Sequence, residues 1–449
     1  MSPSSPDAGH RGPLFDPVFG ADELGVALSD RAWIGALLDV EVALTRAAAA
    51  LGRVENTHAD AVATAATSLA EELDPADLGR RSAAGGNGVI PLVSLLRERA
   101  DAPARAVHVG ATSQDVLDTA LMLLARRAGG IALANLRSAA DGAARLAAAH
   151  RETPMVARTL GQQALPTTFG ALAAGWLLSL DDAATELDRI LSALPAQYGG
   201  AAGTLAAVHP DGFAFADTVA DLLGLARPVA PWHTARTPIT TLASTLGVAA
   251  GAVAKPATDV VLMASTEFGE VSEDAPGGSS AMPHKRNPVA AITARAAARR
   301  VPGLVSTILS STDHEFQRAA GAWHAEWETL ADILRLTGGA SHQLSTSLNG
   351  LHVHTDALDR NLALTGGAIL AEKVTAALAE HTDDARSIVT DAAVAGRSLD
   401  EDPAITAHLD PQDVRELLDP TRYLGHAADI VDRVLARHDS TNRTTGDAR

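Results

Sequence analysis

The 449-residue sequence contains no cysteine, so disulfides, thiolate nucleophiles and zinc–thiolate sites are excluded. Aromatic residues make up only 3% of the chain, whereas alanine is abundant. Strands favour β-branched and aromatic side chains and long helices accept alanine, so an all-α fold is expected. Lysine occurs only at Lys255, Lys285 and Lys373. With a formal net charge of −18 and no basic run, the chain is expected to bind neither nucleic acid nor an anionic membrane. An acidic protein that takes an anionic ligand must gather its few cations in one place.

No long hydrophobic run is evident. The longest apolar stretch, around Leu165 to Leu180, is interrupted by Pro166, Thr167 and Thr168 and reads as a buried core helix. Met1 to Pro13 is polar, with no apolar segment of a secretory signal, so a cytoplasmic location is expected by default.

What is present is mostly helical pattern. Residues 21–52 read as one helix with Gly52 near its C-cap, and residues 57–73 as another. A short helix is expected near Pro91, after the Gly85–Gly88 loop. Long helical patterns follow from Ser113 toward His150, from Pro166 to about Pro195, from Thr240 to Val271, from Pro288 to about Ser311 and over 322–348. Pro302 should kink or break the fourth of these. Shorter helices fill the last hundred residues, and the polar tail after His438 is expected to fray. No fixed-period repeat and no strand-rich region stands out.

The chemistry concentrates in Gly277-Gly278-Ser279-Ser280-Ala281-Met282-Pro283-His284-Lys285-Arg286-Asn287-Pro288. Glycines and prolines bracket the segment, so it cannot be regular helix or strand. Exposed backbone amides can hold a developing oxyanion, while a serine, a lysine and an asparagine supply a proton carrier, a cation and an orienting group. A Gly/Ser/Pro surface linker is the bland alternative.

Two further segments carry weaker signals. In His108-Val109-Gly110-Ala111-Thr112-Ser113, Thr112 and Ser113 are good helix N-caps, and a helix N-terminus attracts anions; an ordinary capped helix reads the same way. Arg158-Thr159-Leu160-Gly161-Gln162-Gln163 offers an arginine able to grip a carboxylate bidentately. His352-Val353-His354 has no third ligand, so no metal site is expected. Trp323 and Trp327 read as packing residues.

The loop wording resembles the GSSxMPxKxN signature of the fumarase/aspartase superfamily, with matches at Gly278, Ser279, Ser280, Met282, Pro283, Lys285 and Asn287. The other two segments resemble the remaining signature regions. The resemblance implies a three-domain, all-α fold (1–107, 108–350 and 351–449) built on a central bundle of long helices. It also implies a homotetramer whose sites draw on three subunits, no cofactor and no metal. Its members exchange a proton α to a carboxylate and lose or add a group at the β-carbon. Ser279 would carry the proton, with Lys285 and the loop amides stabilising the aci-carboxylate. Substrate would be held by His108, Thr112, Ser113, Arg158, Thr159, Gln163, Asn287 and Arg318.

Leu160 stands where the adenylosuccinate lyase branch has a histidine acid, and that branch's second histidine is missing from Gly86 to Val93. Over most of the chain, including Leu14-Phe15-Asp16-Pro17, Pro231-Trp232-His233, Gly321 to Trp327 and Tyr423-Leu424-Gly425, the wording is similar to the bacterial 3-carboxy-cis,cis-muconate cycloisomerase family. That likeness implies lactonisation of a tricarboxylate in the protocatechuate branch of aromatic catabolism. A departing carboxylate needs no strong acid, which suits the missing histidines. Ala235-Arg236-Thr237 departs from a Gln-Arg-Asp common among relatives. Another superfamily lyase, or a non-catalytic homologue like the crystallins, remains the alternative.

Overall fold

The computed structural model describes residues 16–19, 22–278 and 281–446. Among these residues the fold is mostly helical, with two small two-stranded antiparallel sheets. Two compact units form from interleaved segments. The first takes residues up to 137 with 182–254 and 293–343; the second takes 138–181, 255–292 and 344 onward.

In the first unit, Ser29 divides the helix expected over 21–52. Its side chain accepts a hydrogen bond from the Ala32 amide, ending Asp22–Ala27 and starting Asp30–Ala50. Asn56–Glu72, Pro75–Ser82 and Val89–Arg99 follow. The Ser113–Ala149 helix buries Ala120, Leu121, Leu124, Ala125, Ala128 and Ala132, small and branched residues at helical spacing. Tyr198 stacks on Phe215 in the same core, ring centroids 4.7 Å apart. The Val289–Leu309 helix runs through Pro302 without ending there. Pro302 lies on its exposed face, whereas Ala297, Val301 and Ile308 are buried on the opposite one. Among the described residues one helix, Thr237–Met263, is long and apolar enough to cross a membrane by length and composition. It buries Ile239, Leu242, Leu246, Ala249 and Val253 inside the protein.

In the second unit, the residues before Phe169 form a hairpin, not the start of a helix. Strand β1 (Pro154–Thr159) pairs with β2 (Gln162–Thr168), and Pro166 lies within β2. The helix Phe169–Ser192 begins only where the Thr168 side chain accepts from the Ala171 amide. The Thr237–Met263 helix also stops short of Val271. Gly269 adopts a left-handed φ of 61°, and the Glu270 amide folds back onto the Met263 carbonyl. Strand β3 (Val271–Glu273) then pairs with β4 (Leu351–Val353), which absorbs His352; that histidine meets Asp274, and His354 meets Ser272. Among the described residues no histidine or carboxylate cluster has metal-site geometry.

The tail differs from expectation as well. Helix Ala427–Gly446 continues past His438, which is buried with Nδ1 3.0 Å from Asp181 and Nε2 3.1 Å from Asp141. Arg151 adds a bidentate contact to Asp432. The sequence after His438 looked frayed because the buried residue that holds it is itself polar. The hydrogen bond to Asp181, above all, raises the His438 pKa. A raised folded value means this contribution is complete below the unfolded pKa of about 6.5 and lost as pH climbs through the folded one. Amide exchange in residues 427–441 is therefore expected to quicken between neutral and alkaline pH more in the wild type than in His438→Gln.

Candidate active site

The turn at 106–112 is held at nearly every residue. Thr45 Oγ1 donates to the Ala106 carbonyl (2.7 Å), Arg97 to the Val107 carbonyl (3.3 Å) and Tyr198 to the Val109 carbonyl (3.0 Å). Burial pushes the Tyr198 phenol up, keeping it a donor. His108 adopts φ 62°, unusual for a residue with a Cβ, and its Nδ1 lies 2.7 Å from Glu41 Oε1. Gly110 has φ 64°, and a Cβ there would stand 2.5 Å from the Tyr198 hydroxyl, so this position requires glycine. The turn delivers Thr112 and Ser113 to the start of the Ser113–Ala149 helix.

Asp115 ties the residue before that helix to the loop at Gly200. Its Oδ2 accepts from the Thr112 and Gly200 amides (2.9 Å each), and Oδ1 lies 2.7 Å from His233 Nε2. Arg318 places Nη1 2.5 Å from Thr112 Oγ1 and Nη2 3.0 Å from the Ala201 carbonyl. Arg318, 206 residues along the chain, thus meets Thr112 at the helix N-terminus that Ser113 begins.

One turn deeper is a charge cluster that the sequence did not disclose. Arg236, 2% exposed, contacts Asp118 through Nη1 (2.7 Å) and Nη2 (3.1 Å) and Glu326 through Nη2 (2.5 Å) and Nε (3.0 Å). Trp323 donates to Asp118 (2.9 Å), and Gln114 reaches the same carboxylate (3.1 Å). His314 Nε2 is 3.2 Å from Glu326 Oε1, yet neither ring nitrogen makes a hydrogen bond. Burial raises the Glu326 pKa against the pull of Arg236. Burial works against the Arg236 charge, but Asp118 and Glu326 outweigh it and hold its pKa up. The sequence hinted at its parts separately, in Asp115 and Asp118 beside Thr112, in the Pro-Trp-His and Ala-Arg-Thr around Arg236, and in Gly321 to Trp327.

In the second unit, the β1–β2 hairpin carries Arg158, Thr159 and Gln163. Arg158, expected to meet a substrate carboxylate, is engaged within the chain. It is bidentate to fully buried Glu270 (3.0 and 2.5 Å) and lies over the Phe268 ring (4.5 Å). Asn361 donates to Glu270 (2.8 Å) and Gln163 donates to the Asn361 carbonyl (2.9 Å). The Gln163 Oε1 is buried without a hydrogen bond. At the hairpin apex, Leu160 (φ 53°) and Gly161 (φ 79°) turn the chain, leaving the Leu160 side chain fully exposed beside exposed Thr159.

The signature loop, in the same unit, is pinned at its base. Gly277 and Asn287 exchange backbone hydrogen bonds of 2.9 Å each, and the Asn287 side chain adds a third to the Gly277 carbonyl (3.2 Å). Buried Glu273 accepts from the amides of Ala290 (3.1 Å) and Ala291 (2.9 Å), fixing the helix that leaves the loop. Lys285 is exposed between these supports, with Met282, Pro283 and His284. Ser279 and Ser280 lie outside the described residues, as do Leu14 and Phe15. A Cβ on Gly277 would fall 2.3 Å from Val289 Cγ2. Gly277→Ala is therefore expected to cost about 1–3 kcal/mol and to loosen the loop. Thermal unfolding and proteolysis within 278–286 would show it, and Gly277→Ala/Val289→Ala should recover much of the loss.

Sequence comparison places this geometry. A profile of the lyase family matches residues 20–303. The nitrosuccinate lyase of Streptomyces davaonensis is 44% identical, covering 95% of each chain. The chain is a lyase of the fumarase/aspartase superfamily. The 3-carboxy-cis,cis-muconate cycloisomerase of Pseudomonas aeruginosa is 42% identical over 95% of this lyase and 96% of its own length. The crystal structure of the 3-carboxy-cis,cis-muconate lactonizing enzyme from Pseudomonas putida superposes with a TM-score of 0.89 and 38% identity, covering 96% of the superfamily lyase described here and 99% of that chain.

Proposed function

We propose that this lyase is a 3-carboxy-cis,cis-muconate cycloisomerase, closing the lactone by adding one substrate carboxylate to a ring-forming double bond. The observation that carries the reading is Leu160. The hairpin apex presents an alkyl side chain, unable to donate a proton, beside exposed Thr159. Such a site suits a β-substituent that departs or attacks as a weak base. A carboxylate meets that requirement, and an amine or an alkoxide does not. Two of the relatives named above are cycloisomerases of this tricarboxylate.

In this reading Ser279 exchanges the α-proton, and Lys285 with the loop amides stabilises the aci-carboxylate. Thr112, Ser113, His108 and Arg318 hold one end of the substrate, with Thr159, Gln163 and Asn287 holding another. Arg158, already balanced by Glu270, orders the hairpin that presents Thr159 and Gln163. These segments would be brought together in a homotetramer with composite sites. Intramolecular ring closure gains from orientation by such a site.

A second reading is elimination from nitrosuccinate, favoured by the 44% identity to a nitrosuccinate lyase. Its departing nitrite is also a weak base, so Leu160 suits it equally. The two readings separate in one ultraviolet assay. Closing the lactone shortens the conjugation of 3-carboxymuconate, whereas elimination from nitrosuccinate creates the fumarate chromophore. The purified protein is expected to act on 3-carboxymuconate with kcat/KM of about 10⁴ M⁻¹s⁻¹ or more. Turnover of nitrosuccinate at that level, with none of 3-carboxymuconate, would overturn the assignment.

A further inference from the structure

We infer that Glu41 is a positioning residue for His108, fixing which imidazole nitrogen meets the substrate. The inference rests on the substrate-facing place proposed for His108.

Helix Asp30–Ala50 buries eleven residues, and Glu41 is the only charged one among them. Its carboxylate is fully buried; Oε1 lies 2.7 Å from His108 Nδ1, and Oε2 is buried with no hydrogen-bond partner. A buried carboxylate satisfied at one oxygen is costly, and an apolar residue of similar size would serve packing better. A second cost falls on the same pair, because His108 holds a left-handed backbone at φ 62°. Thr45, Arg97 and Tyr198 clamp the carbonyls around it and so hold this backbone in place, leaving the ring to Glu41. Two unfavourable features converging on one imidazole indicate selection for orientation over stability.

The chemistry follows from the carboxylate. An ionised carboxylate only accepts, so the nitrogen facing it carries a proton. Nδ1–H then points inward and Nε2 points away. Nε2 has no partner among the described residues, and the ring is 17% exposed. Thr112, which precedes the Ser113–Ala149 helix four residues after His108, is held by Arg318. A substrate carboxyl or its departing oxygen meeting this turn would find Nε2 in one fixed tautomer and orientation. An untethered ring would have to be ordered during binding.

The test compares Glu41→Gln with Glu41→Leu. The glutamine oxygen still accepts from Nδ1–H, so kcat/KM is expected to stay within a few-fold of wild type. Leucine removes the acceptor and the orphan oxygen together. With it kcat/KM is expected to fall about 10- to 100-fold, the range for losing an orienting partner, while the melting temperature holds or rises. A merely structural glutamate would give the opposite pairing, with stability falling alongside activity. Solid-state ¹⁵N NMR of histidine-labelled protein, with His108 assigned by difference against His108→Asn, reads the tautomer directly. Nδ1–H is expected in wild type and Glu41→Gln and a redistributed proton in Glu41→Leu. Nε2–H in the wild type, or unchanged kinetics in Glu41→Leu, would overturn the inference. If neither 3-carboxymuconate nor nitrosuccinate is turned over, the proposed function fails separately. Tricarballylate, a saturated tricarboxylate, then decides the matter. A shift of the Nε2 signal in wild type that is lost in Glu41→Leu supports the positioning, and no shift in either refutes it.

Discussion

Ser279→Ala is expected to lower kcat by about 10²–10⁴-fold with KM changed only a few-fold, the signature of removing a proton carrier. The expectation starts from composition. Between Gly277 and Pro288 the hydroxyls belong to Ser279 and Ser280, and Ser279 matches the first serine of the superfamily signature. The Gly277–Asn287 bridge and the Glu273 cap hold the base of this loop, so alanine at 279 removes an oxygen without loosening the stem. Steady-state kinetics should be paired with solvent deuterium exchange into the α-carbon of the product, which should fall in parallel. Lys285→Ala should also depress kcat, through lost stabilisation of the aci-carboxylate. If Ser279→Ala kept both turnover and exchange while Lys285→Ala abolished them, the proton would travel by another group.

Arg236→Met carries the largest expected effect on stability. Asp118 and Glu326 are fully buried around this one guanidinium, and Trp323 and Gln114 complete the Asp118 shell. Breaking a buried pair by removing one partner costs about 3–5 kcal/mol, because the remaining charge is stranded. Here two carboxylates are stranded, so the loss should reach at least that range. Glu326→Gln leaves Arg236 paired one-to-one with Asp118 and removes a carboxyl whose pKa burial already raises. It should cost far less, about 1 kcal/mol. Urea unfolding of the three proteins gives the ranking, and equal losses in Arg236→Met and Glu326→Gln would show that the cluster does not act through charge balance. Activity should fall with Arg236→Met as well, because the cluster lies one turn below Thr112 and ties together the starts of three helices, at Ser113, Thr237 and Ala322.

The lyase family was legible because its chemistry is written in consecutive residues. Gly277 to Pro288 states a backbone that cannot be regular and a set of side chains that can move a proton. The long helices over 113–149 and 322–349 were legible for a related reason, since each carries an apolar stripe at helical spacing over many turns. The segment around Arg158 was not. Its strands are short and polar and hold Pro154 and Pro166, so nothing in their period separates a hairpin from a loop leading into a helix. The tail failed for a similar reason, because the last buried position described on its face, after Ala427 and Val431, is the polar His438, held by Asp181 and Asp141.

Length, absence of cysteine, alanine-rich helical periodicity and the loop wording were determined by the sequence itself, since each depends on neighbours along the chain. Which charges meet was decided only in three dimensions. Glu41 finds His108, Asp118 and Glu326 find Arg236, and Glu270 takes Arg158, across 67, 118, 90 and 112 residues respectively. Ion pairs and hydrogen bonds act over a few ångströms, and helix packing, which no local spacing encodes, sets those ångströms.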